Sequence, residues 1–223
     1  MKSISGSSPC LFQTHCPSDT VLIRVPRGRA IFSVEQHAAY IYHLHEGVVG
    51  TTITTSTGCN MVSAIIVPPQ LVGIAGLAGM YSPRHILHLG EARAITPVTY
   101  CKVRREAVWA LFSDREMLAQ IMDLICNMVC NMSVLRSFPE KAGICRQVLI
   151  ILNMLGRSIG TCESDGMLTL HGITHEDLAL MINTSRNTIT RVLSRLERDG
   201  LVETHRREII LTKPQSFLRS LLV

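Results

Sequence analysis

The segment from residue 174 to residue 200 constrains this chain more than any other, because it specifies two short helices and the turn between them. Thr174 is a favourable N-cap, and the two acidic residues that follow place negative charge where the helix dipole stabilises it. Asn183 stands where the turn needs a residue that tolerates a positive φ, and Ser185 can cap the second helix. The spacing therefore predicts a helix, a tight turn and a second helix.

The second helix of this segment separates its apolar and polar side chains. Its apolar side holds Ile189, Val192, Leu193 and Leu196, and its polar side holds Arg186, Asn187, Thr190, Arg191, Ser194, Arg195 and Arg198. Gly200 is well placed to end the helix, and residues 201–211 follow as strand, basic turn and strand. Residues 186–207 contain six arginines against three acidic residues. This order is typical of a winged helix-turn-helix that binds duplex DNA.

The residue types on the polar side suit the chemistry of base recognition. An arginine binds guanine through two hydrogen bonds in the major groove, and an asparagine can bind adenine in the same way. A wing with a basic tip can lie against the phosphate backbone. A merely solvated basic face is the alternative, and the joint occurrence of caps, turn, split faces and wing disfavours it. The predicted DNA-binding residues are Ser185, Arg186, Asn187, Thr190, Arg191, Arg195, His205, Arg206 and Arg207.

The first half of the chain has the pattern of a β-structure. Short runs rich in β-branched and apolar residues occupy positions 21–25, 39–44, 48–55, 61–67 and 99–103, with Gly or Pro turns between them. No helix longer than a turn or two is expected before residue 104. Many short strands with turn signals favour a compact barrel or roll. The predicted fold class is therefore α+β, with an N-terminal β-roll, a long helix and a C-terminal winged helix-turn-helix.

A long apolar helix is predicted from about residue 114 to residue 137. Apolar residues recur there at spacings of three and four, over a stripe broader than one neighbour needs. Such a helix is either buried or pairs with a copy of itself, and the chain as a whole favours a homodimer. A second helix is expected over residues 142–154. The predicted domains are residues 1–113, 114–137 and 138–223, and the predicted dimerisation residues are Met117, Ile121, Leu124, Ile125, Met128 and Met132.

Composition excludes several other classes of protein. The 223 residues are 47% hydrophobic, so the chain can bury a sizeable core, and its net charge of +5 permits a nucleic-acid partner without proving one. Neither a secretory signal nor an apolar run of membrane-spanning length is visible, which predicts a cytoplasmic protein without a membrane partner. No catalytic triad order, metalloprotease motif, P-loop or dinucleotide fingerprint supports an enzyme, so a redox or metal enzyme built on the roll is the weakest alternative.

From residue 142 to residue 211 the sequence resembles the Crp/Fnr family, the cyclic-AMP receptor protein and its relatives. The run S-R-N-T-I-T-R-V-L at residues 185–193 is similar to the family's recognition helix, which implies that Arg186, Asn187, Thr190 and Arg191 face the bases. V-P-R-G, H-E-G-V-V and G-I-A-G-L follow the order of the turns in the family's cyclic-nucleotide-binding roll. The resemblance implies a homodimer on a palindromic DNA site, and it leaves RNA polymerase open as a further partner.

Two departures from the family pattern concern the ligand and the operator. Ala75 stands where nucleotide-binding members have the Glu that holds the ribose, and residues 82–93 contain no Arg-Ser pair for the cyclic phosphate. A buried phosphate without its arginine is costly, so we expect no ordinary response to cyclic AMP. Asn187 replaces a common Glu, which disfavours the family's usual operator.

The effector is left open by the sequence. Cys10, Cys16, Cys59 and Cys101 could hold an iron–sulfur cluster, form a reversible disulfide, or simply pack as small hydrophobic residues. His43 and His45 share a strand face, and His85 and His88 lie three apart, but neither pair has an identifiable third ligand for heme or a metal. Cys126 and Cys130 share a helix face where packing is the simplest role. No metal site and no cofactor is therefore assigned, and a redox- or metal-sensing regulator is the alternative function.

Overall fold

The computed structural model describes residues 10–58, 60–78, 86–136, 140–163, 166–212 and 214, with side chains omitted over 133–142. The chain divides into two compact units, Ser7–Met132 and Ser133–Val223, and the boundary falls inside the long helix. Each unit has its own sheet structure and its own buried core.

The first unit is a β-roll followed by helices. Its elements are α1 (Leu11–His15), β1 (Thr20–Val25), β2 (Ala30–Phe32), β3 (Tyr40–Glu46), β4 (Val49–Thr54), β5 (Asn60–Ile66), β6 (Leu71–Val72), β7 (Glu91–Ala94), β8 (Val98–Arg104), α2 (Arg105–Ala110) and α3 (Arg115–Arg136). One sheet has the strand order β1-β8-β3-β6 and the other the order β2-β7-β4-β5, and neighbouring strands in both sheets are antiparallel. A short 3-10 helix, Ile74–Leu77, follows β6.

Both faces of the β1-β8-β3-β6 sheet are buried. Tyr42, Leu44 and Tyr100 point from it into a core shared with Phe32, Val49 and Ile66 of the second sheet. The alternate residues of β3 and β8 point the other way, because successive side chains of a strand alternate between faces. They meet a second core, to which α1, α2 and α3 contribute Phe12, Val108 and Ile121. The helices therefore cover a sheet face that would otherwise expose apolar residues.

The second unit is a small α+β domain. It consists of α4 (Glu140–Ile159), β9 (Thr161–Cys162), β10 (Leu168–His171), α5 (His175–Ile182), α6 (Arg186–Arg198), β11 (Val202–His205) and β12 (Glu208–Leu211). Its sheet has the order β11-β12-β10-β9, with antiparallel pairing. The buried side chains at its centre include Ile151, Leu155, Leu170, Leu178, Ile189 and Leu193.

The predicted elements are confirmed, with several boundaries moved. The five predicted strands correspond to β1, β3, β4, β5 and β8, and the predicted helix 114–137 corresponds to α3. The expectation that the second helix ends near residue 154 was wrong, since α4 runs to Ile159. Gly156 lies inside α4 and does not end it. A Cβ at this position would lie 3.1 Å from the Leu168 side chain, so the glycine permits β10 to pack closely against α4. Within the described residues, no helix combines the length and the apolar character that crossing a bilayer requires.

Candidate functional site

The start of α5 is fixed by a reciprocal pair of hydrogen bonds. The Asp177 amide donates to Thr174 Oγ1 at 3.2 Å, and the Thr174 amide donates to Asp177 Oδ2 at 2.8 Å. The two side chains therefore form a capping box. At the other end, Asn183 adopts the left-handed conformation with φ of 56°. Both features agree with the sequence prediction, and together they set where the next helix begins.

α6 is anchored by its apolar side and exposed on its polar side. Its N-cap is Ser185, whose Oγ accepts from the Thr188 amide at 3.1 Å. Ile189, Leu193 and Leu196 are buried in the core of the unit. The exposed residues of the helix are Arg186, Asn187, Thr190, Arg191, Ser194, Arg195 and Arg198. The separation of faces predicted from the sequence is thus present, with the arginines directed to solvent.

Neighbouring groups engage some of these polar side chains but not all of them. The Thr190 hydroxyl donates to the Arg186 carbonyl at 3.1 Å, and it lies 3.0 Å from His175 Nδ1. Arg195 forms a long, exposed contact of 3.9 Å with Asp199. No carboxylate in the described part of the chain pairs with Arg186 or Arg191. Their guanidinium donors are therefore available to a partner.

His175 was missed by the sequence prediction. It is the first residue of α5, yet it contacts a side chain of α6, and no periodicity in the sequence signals this contact. The contact depends on how the two helices cross, which becomes known only when their cores pack. His175 therefore belongs to the same exposed surface as Thr190.

The predicted wing is present as the hairpin of β11 and β12. His205 lies opposite Glu208, and the exposed residues Arg206 and Arg207 form the turn between them. The hairpin is fixed to α6 through one carboxylate, because Glu197 Oε1 accepts from the Thr204 amide at 2.9 Å and from the Thr204 hydroxyl. The first strand of the wing is therefore tied to the C-terminal end of α6.

The long helix α3 carries two adjacent apolar stripes. Met117, Ile121 and Met128, predicted from the sequence to lie between two chains, are buried within their own unit. Leu124 and Ile125 are half-buried against the same core. The more exposed stripe carries Leu118, Met122 and Val129, with exposures of 36%, 47% and 51%. The sequence pattern located the apolar helix but did not separate the stripe that packs on the roll from the one that faces outward.

A cavity of about 200 Å³ lies in the roll, next to the 3-10 helix. Ala75 and His88 are in its wall, with Phe32, Leu71, Met128 and Met132. The part of the wall that the structure describes contains no arginine, lysine or carboxylate. Burial, together with the nearby His37, lowers the pKa of His88, so this side chain is neutral near pH 7. Arg93 pairs instead with Glu91, and Arg84 and His85 lie outside the described residues.

Cysteine and histidine side chains meet on the helix-covered face of the roll. Cys10 Sγ lies 3.6 Å from His43 Nδ1, and His45 Nε2 lies 3.1 Å from Cys101 Sγ. Ligand atoms of Cys10, His45 and Cys101 all lie within 4.8 Å of one another. These four residues are called the Cys–His cluster below. The neighbours that the sequence could not identify for His43 and His45 are thus two cysteines from other elements.

The local electrostatics of the Cys–His cluster differ between its two thiols. Burial raises the pKa of Cys10, but hydrogen bonds from His43, His45 and Cys101 outweigh burial and lower the pKa to about 5. Burial and the bond to Cys10 raise the pKa of Cys101 to about 12. The cluster therefore stabilises Cys10 as a thiolate, and the Cys101 thiol donates a hydrogen bond to it.

Among the described residues, Cys16 does not join this cluster as the four-cysteine hypothesis required. Cys16 Sγ donates to the Ala107 carbonyl at 3.7 Å and is absent from the group of mutually close ligand atoms. Cys59 lies outside the described residues, and Cys126 and Cys130 are exposed on α3. The described cysteines therefore do not assemble the donor set of an iron–sulfur cluster held by Cys10, Cys16 and Cys101 together.

The fold and the exposed basic helix define the class: a winged helix-turn-helix transcription regulator with an N-terminal β-roll. Residues 146–219 match the model of the Crp-like helix-turn-helix domain. The chain is 26% identical over 191 residues to the global nitrogen regulator of Synechococcus elongatus, covering 84% of each chain. It is 21% identical to the CRP-like cAMP-activated global transcriptional regulator of Mycobacterium tuberculosis, covering 87% of this chain and 85% of the relative.

Solved structures agree on the fold. A CRP-family transcriptional regulator from Thermus thermophilus superposes with a TM-score of 0.68 at 19% identity, covering 90% of this chain and 97% of that one. The c-di-GMP-responsive global regulator CLP of Xanthomonas campestris gives a TM-score of 0.65 at 18% identity, covering 90% and 96%. Residues 146–219 therefore carry a Crp-like helix-turn-helix domain, and over most of its length the chain is similar to transcription regulators of the Crp/Fnr family. Its relatives are regulators of transcription rather than enzymes.

Proposed function

We propose that this protein regulates transcription in the cytoplasm by binding a palindromic DNA site as a homodimer, without responding to cyclic AMP. The observation that carries the proposal is the capped, core-anchored helix α6, which exposes Arg186, Asn187 and Arg191 on one side. Groups of these types near the start of a helix suit direct reading of base edges in the major groove. The wing adds basic groups that suit the phosphate backbone.

The homodimer is proposed on the geometry of α3. Leu118, Met122, Ile125 and Val129 follow one another at spacings of four, three and four residues, which is the spacing of a coiled-coil seam. In the single chain Leu118, Met122 and Val129 are exposed and Ile125 is half-buried against the roll core, whereas the neighbouring stripe is buried there. A pairing of two α3 helices through the exposed stripe would remove apolar surface from water. Two helix-turn-helix units would then bind DNA half-sites about one helical turn apart.

The absence of a cyclic-AMP response is proposed on the roll cavity. Ala75 in its wall cannot bind a ribose hydroxyl, and the described wall offers no cation to a cyclic phosphate. A buried phosphate needs charge-assisted hydrogen bonds to offset its desolvation. Relatives named as cAMP-activated share the family, and this chain differs from the nucleotide-binding pattern at the position of Ala75. Titration calorimetry of the full chain with cyclic AMP tests this part, and saturable binding in the micromolar range would contradict it.

The DNA-binding part is tested by selecting bound sequences from random duplex DNA and then comparing two variants on the selected site. Arg191→Ala should lose about tenfold to a hundredfold in affinity for the selected site and little for random DNA, since a base contact is worth about 1–3 kcal/mol. Arg206→Ala should weaken both equally and reduce the salt dependence, because a phosphate contact carries no sequence information.

The matched control is Arg157→Ala, which removes an exposed arginine of the same unit that belongs to α4 rather than to α6 or the wing. It should leave both affinities within about twofold of the wild type. Equal loss of selected-site and random-DNA binding in Arg191→Ala would contradict the base-reading role of α6.

A further inference from the structure

The Cys–His cluster lies where three elements of the roll converge. Cys10 is the residue immediately before α1, His43 and His45 belong to β3, and Cys101 belongs to β8. His43 and Cys101 are directly opposite one another in the antiparallel ladder, so their side chains share a face. His45 lies at a register irregularity of β3, between Leu44 and Glu46, and its Nε2 reaches Cys101 Sγ from there. The ladder therefore fixes His43 and Cys101, the irregular end of β3 places His45 beside them, and α1 brings Cys10 over them.

The distances suit a tetrahedral cation. With Zn–S bonds of about 2.3 Å and Zn–N bonds of about 2.0–2.1 Å, a sulfur and a nitrogen on one tetrahedron are about 3.5 Å apart. Cys101 Sγ and His45 Nε2 are 3.1 Å apart, and the three ligand atoms of Cys10, His45 and Cys101 span no more than 4.8 Å. Small side-chain shifts would bring all three to one ion. His43 Nδ1, 3.6 Å from Cys10 Sγ, stands beside this set and holds the sulfur in place.

Burial of the cluster favours a resident ion over a transient contact. Cys10 and Cys101 are 5% and 0% exposed, and His43 is 6% exposed. His45 is half-buried and gives the site a route to solvent. Two sulfurs and an imidazole form a soft donor set, which selects zinc-like cations over the oxygen-preferring Mg²⁺ and Ca²⁺.

We propose that Cys10, His45 and Cys101 bind one zinc-class divalent cation per chain, with His43 as a positioning residue. The ion ties α1 to β3 and β8, and each sulfur binds it as a thiolate. The site is distinct from the roll cavity, whose wall contains none of these residues. The inference does not depend on DNA binding, since its measurements report the metal directly.

The test uses the reduced, full-length protein, stripped with a chelator and titrated with Co²⁺. We expect one Co²⁺ per chain, with visible bands of tetrahedral cobalt, a near-ultraviolet thiolate-to-cobalt charge-transfer band, and displacement by one equivalent of Zn²⁺. X-ray absorption of the wild-type zinc complex should show two sulfur neighbours and at least one imidazole. These wild-type measurements decide the proposal even where a variant folds poorly. Absence of the charge-transfer band, or a coloured protein as isolated that contains inorganic sulfide, would overturn it.

Four variants distinguish the proposed ligands from neighbouring residues that do not bind the ion. Cys101→Ser and His45→Gln should weaken Co²⁺ binding at least tenfold and change the charge-transfer band, and His43→Gln should weaken binding less while leaving the band intact. Cys16→Ser is the matched control, because this buried thiol belongs to the same core but bonds to the Ala107 carbonyl. It should bind Co²⁺ as the wild type does. Equal binding by Cys101→Ser and Cys16→Ser would refute the assigned ligands.

Discussion

His88 shows how one buried residue can make the stability of the roll depend on pH. Its ring stacks on Phe32 with centroids 3.6 Å apart and the planes 11° from parallel, and only 3% of the residue is exposed. Burial is the larger cause of its lowered pKa, and the charge of His37 adds to it. The folded chain therefore keeps His88 neutral at pH values where the unfolded chain takes up a proton.

We predict that this difference destabilises the roll on acidification. In the unfolded chain a histidine titrates near pH 6.5, so the stability is fully present above about that pH and falls as the pH decreases below it. His88→Phe keeps an aromatic ring against Phe32 and cannot titrate. Chemical denaturation with chelator present, compared between about pH 7.5 and about pH 5, should show a smaller loss of unfolding free energy in His88→Phe than in the wild type.

The control for this prediction is His15→Gln, which removes an exposed histidine at the end of α1. Its pH dependence should match that of the wild type. If His88→Phe also lost as much stability as the wild type over this interval, the neutral buried state of His88 would not be the cause.

At the level of elements, periodicity predicted the longer helices and the longer strands. The apolar spacing located α3 within one residue at each end, and the caps and turn of α5 and α6 were read directly from Thr174, Asn183 and Ser185. These features are local, because each depends on residues within one or two helical turns. The short strands β2, β6 and β7 and the helices α1 and α2 were not predicted, since two to six residues carry too little pattern to distinguish them from loop.

The candidate sites differ in the same way, since the sequence predicts the local one and not the one that depends on distant contacts. The exposed face of α6 and the basic wing follow from local pattern, so the sequence predicted them by residue. The meeting of Cys10, His45 and Cys101 depends on the register of β3 against β8 and on where α1 packs. Register is set by burial across the whole sheet, which a single sequence does not show. The contact of His175 with Thr190 could not be foreseen either, because it depends on how α5 and α6 cross.

The tip of the wing gives a prediction in which stability and binding change separately. Arg207 adopts a left-handed conformation with φ of 68°, which costs a residue with a side chain about 1 kcal/mol relative to glycine. Arg207→Gly should therefore leave the unfolding free energy unchanged or raise it by up to about 1 kcal/mol, since glycine also gains entropy in the unfolded chain. The same variant should weaken binding to every DNA sequence and lower the salt slope by about one. Thermal unfolding and binding isotherms at several salt concentrations measure the two effects.

Arg207→Lys is the control for the wing, because it keeps both the charge and the strained backbone conformation. Its stability should equal that of the wild type, and most of its DNA affinity should remain. A loss confined to the selected sequence in Arg207→Gly would instead assign Arg207 to base reading.

At the scale of the whole molecule, one stripe of α3 contributes to the folding of the single chain, and the other is available for the proposed assembly of two chains. The stripe of Met117, Ile121 and Met128 is buried within the chain, so substitutions there affect the stability of the roll first. The stripe that includes Leu118 and Met122 is more exposed, so a polar substitution there costs the single chain little. The proposed homodimer can therefore be broken without unfolding the protomer, provided that the exposed stripe is the one changed.

Met122→Glu should convert the dimer to a folded monomer. A buried, unpaired carboxylate at the seam, facing its symmetry copy, opposes association through desolvation and like-charge repulsion. Sedimentation should then report the mass of one chain, while the circular dichroism spectrum stays that of the wild type. Affinity for a two-half-site palindrome should fall about a hundredfold or more, because the second helix-turn-helix no longer binds as part of the same molecule. Affinity for an isolated half-site should change little.

Gln120→Glu adds the same charge on the same helix outside the exposed stripe, and it should remain a dimer with full affinity. A Met122→Glu protein that stays dimeric would show that α3 does not pair through this stripe, even if α6 reads DNA as proposed.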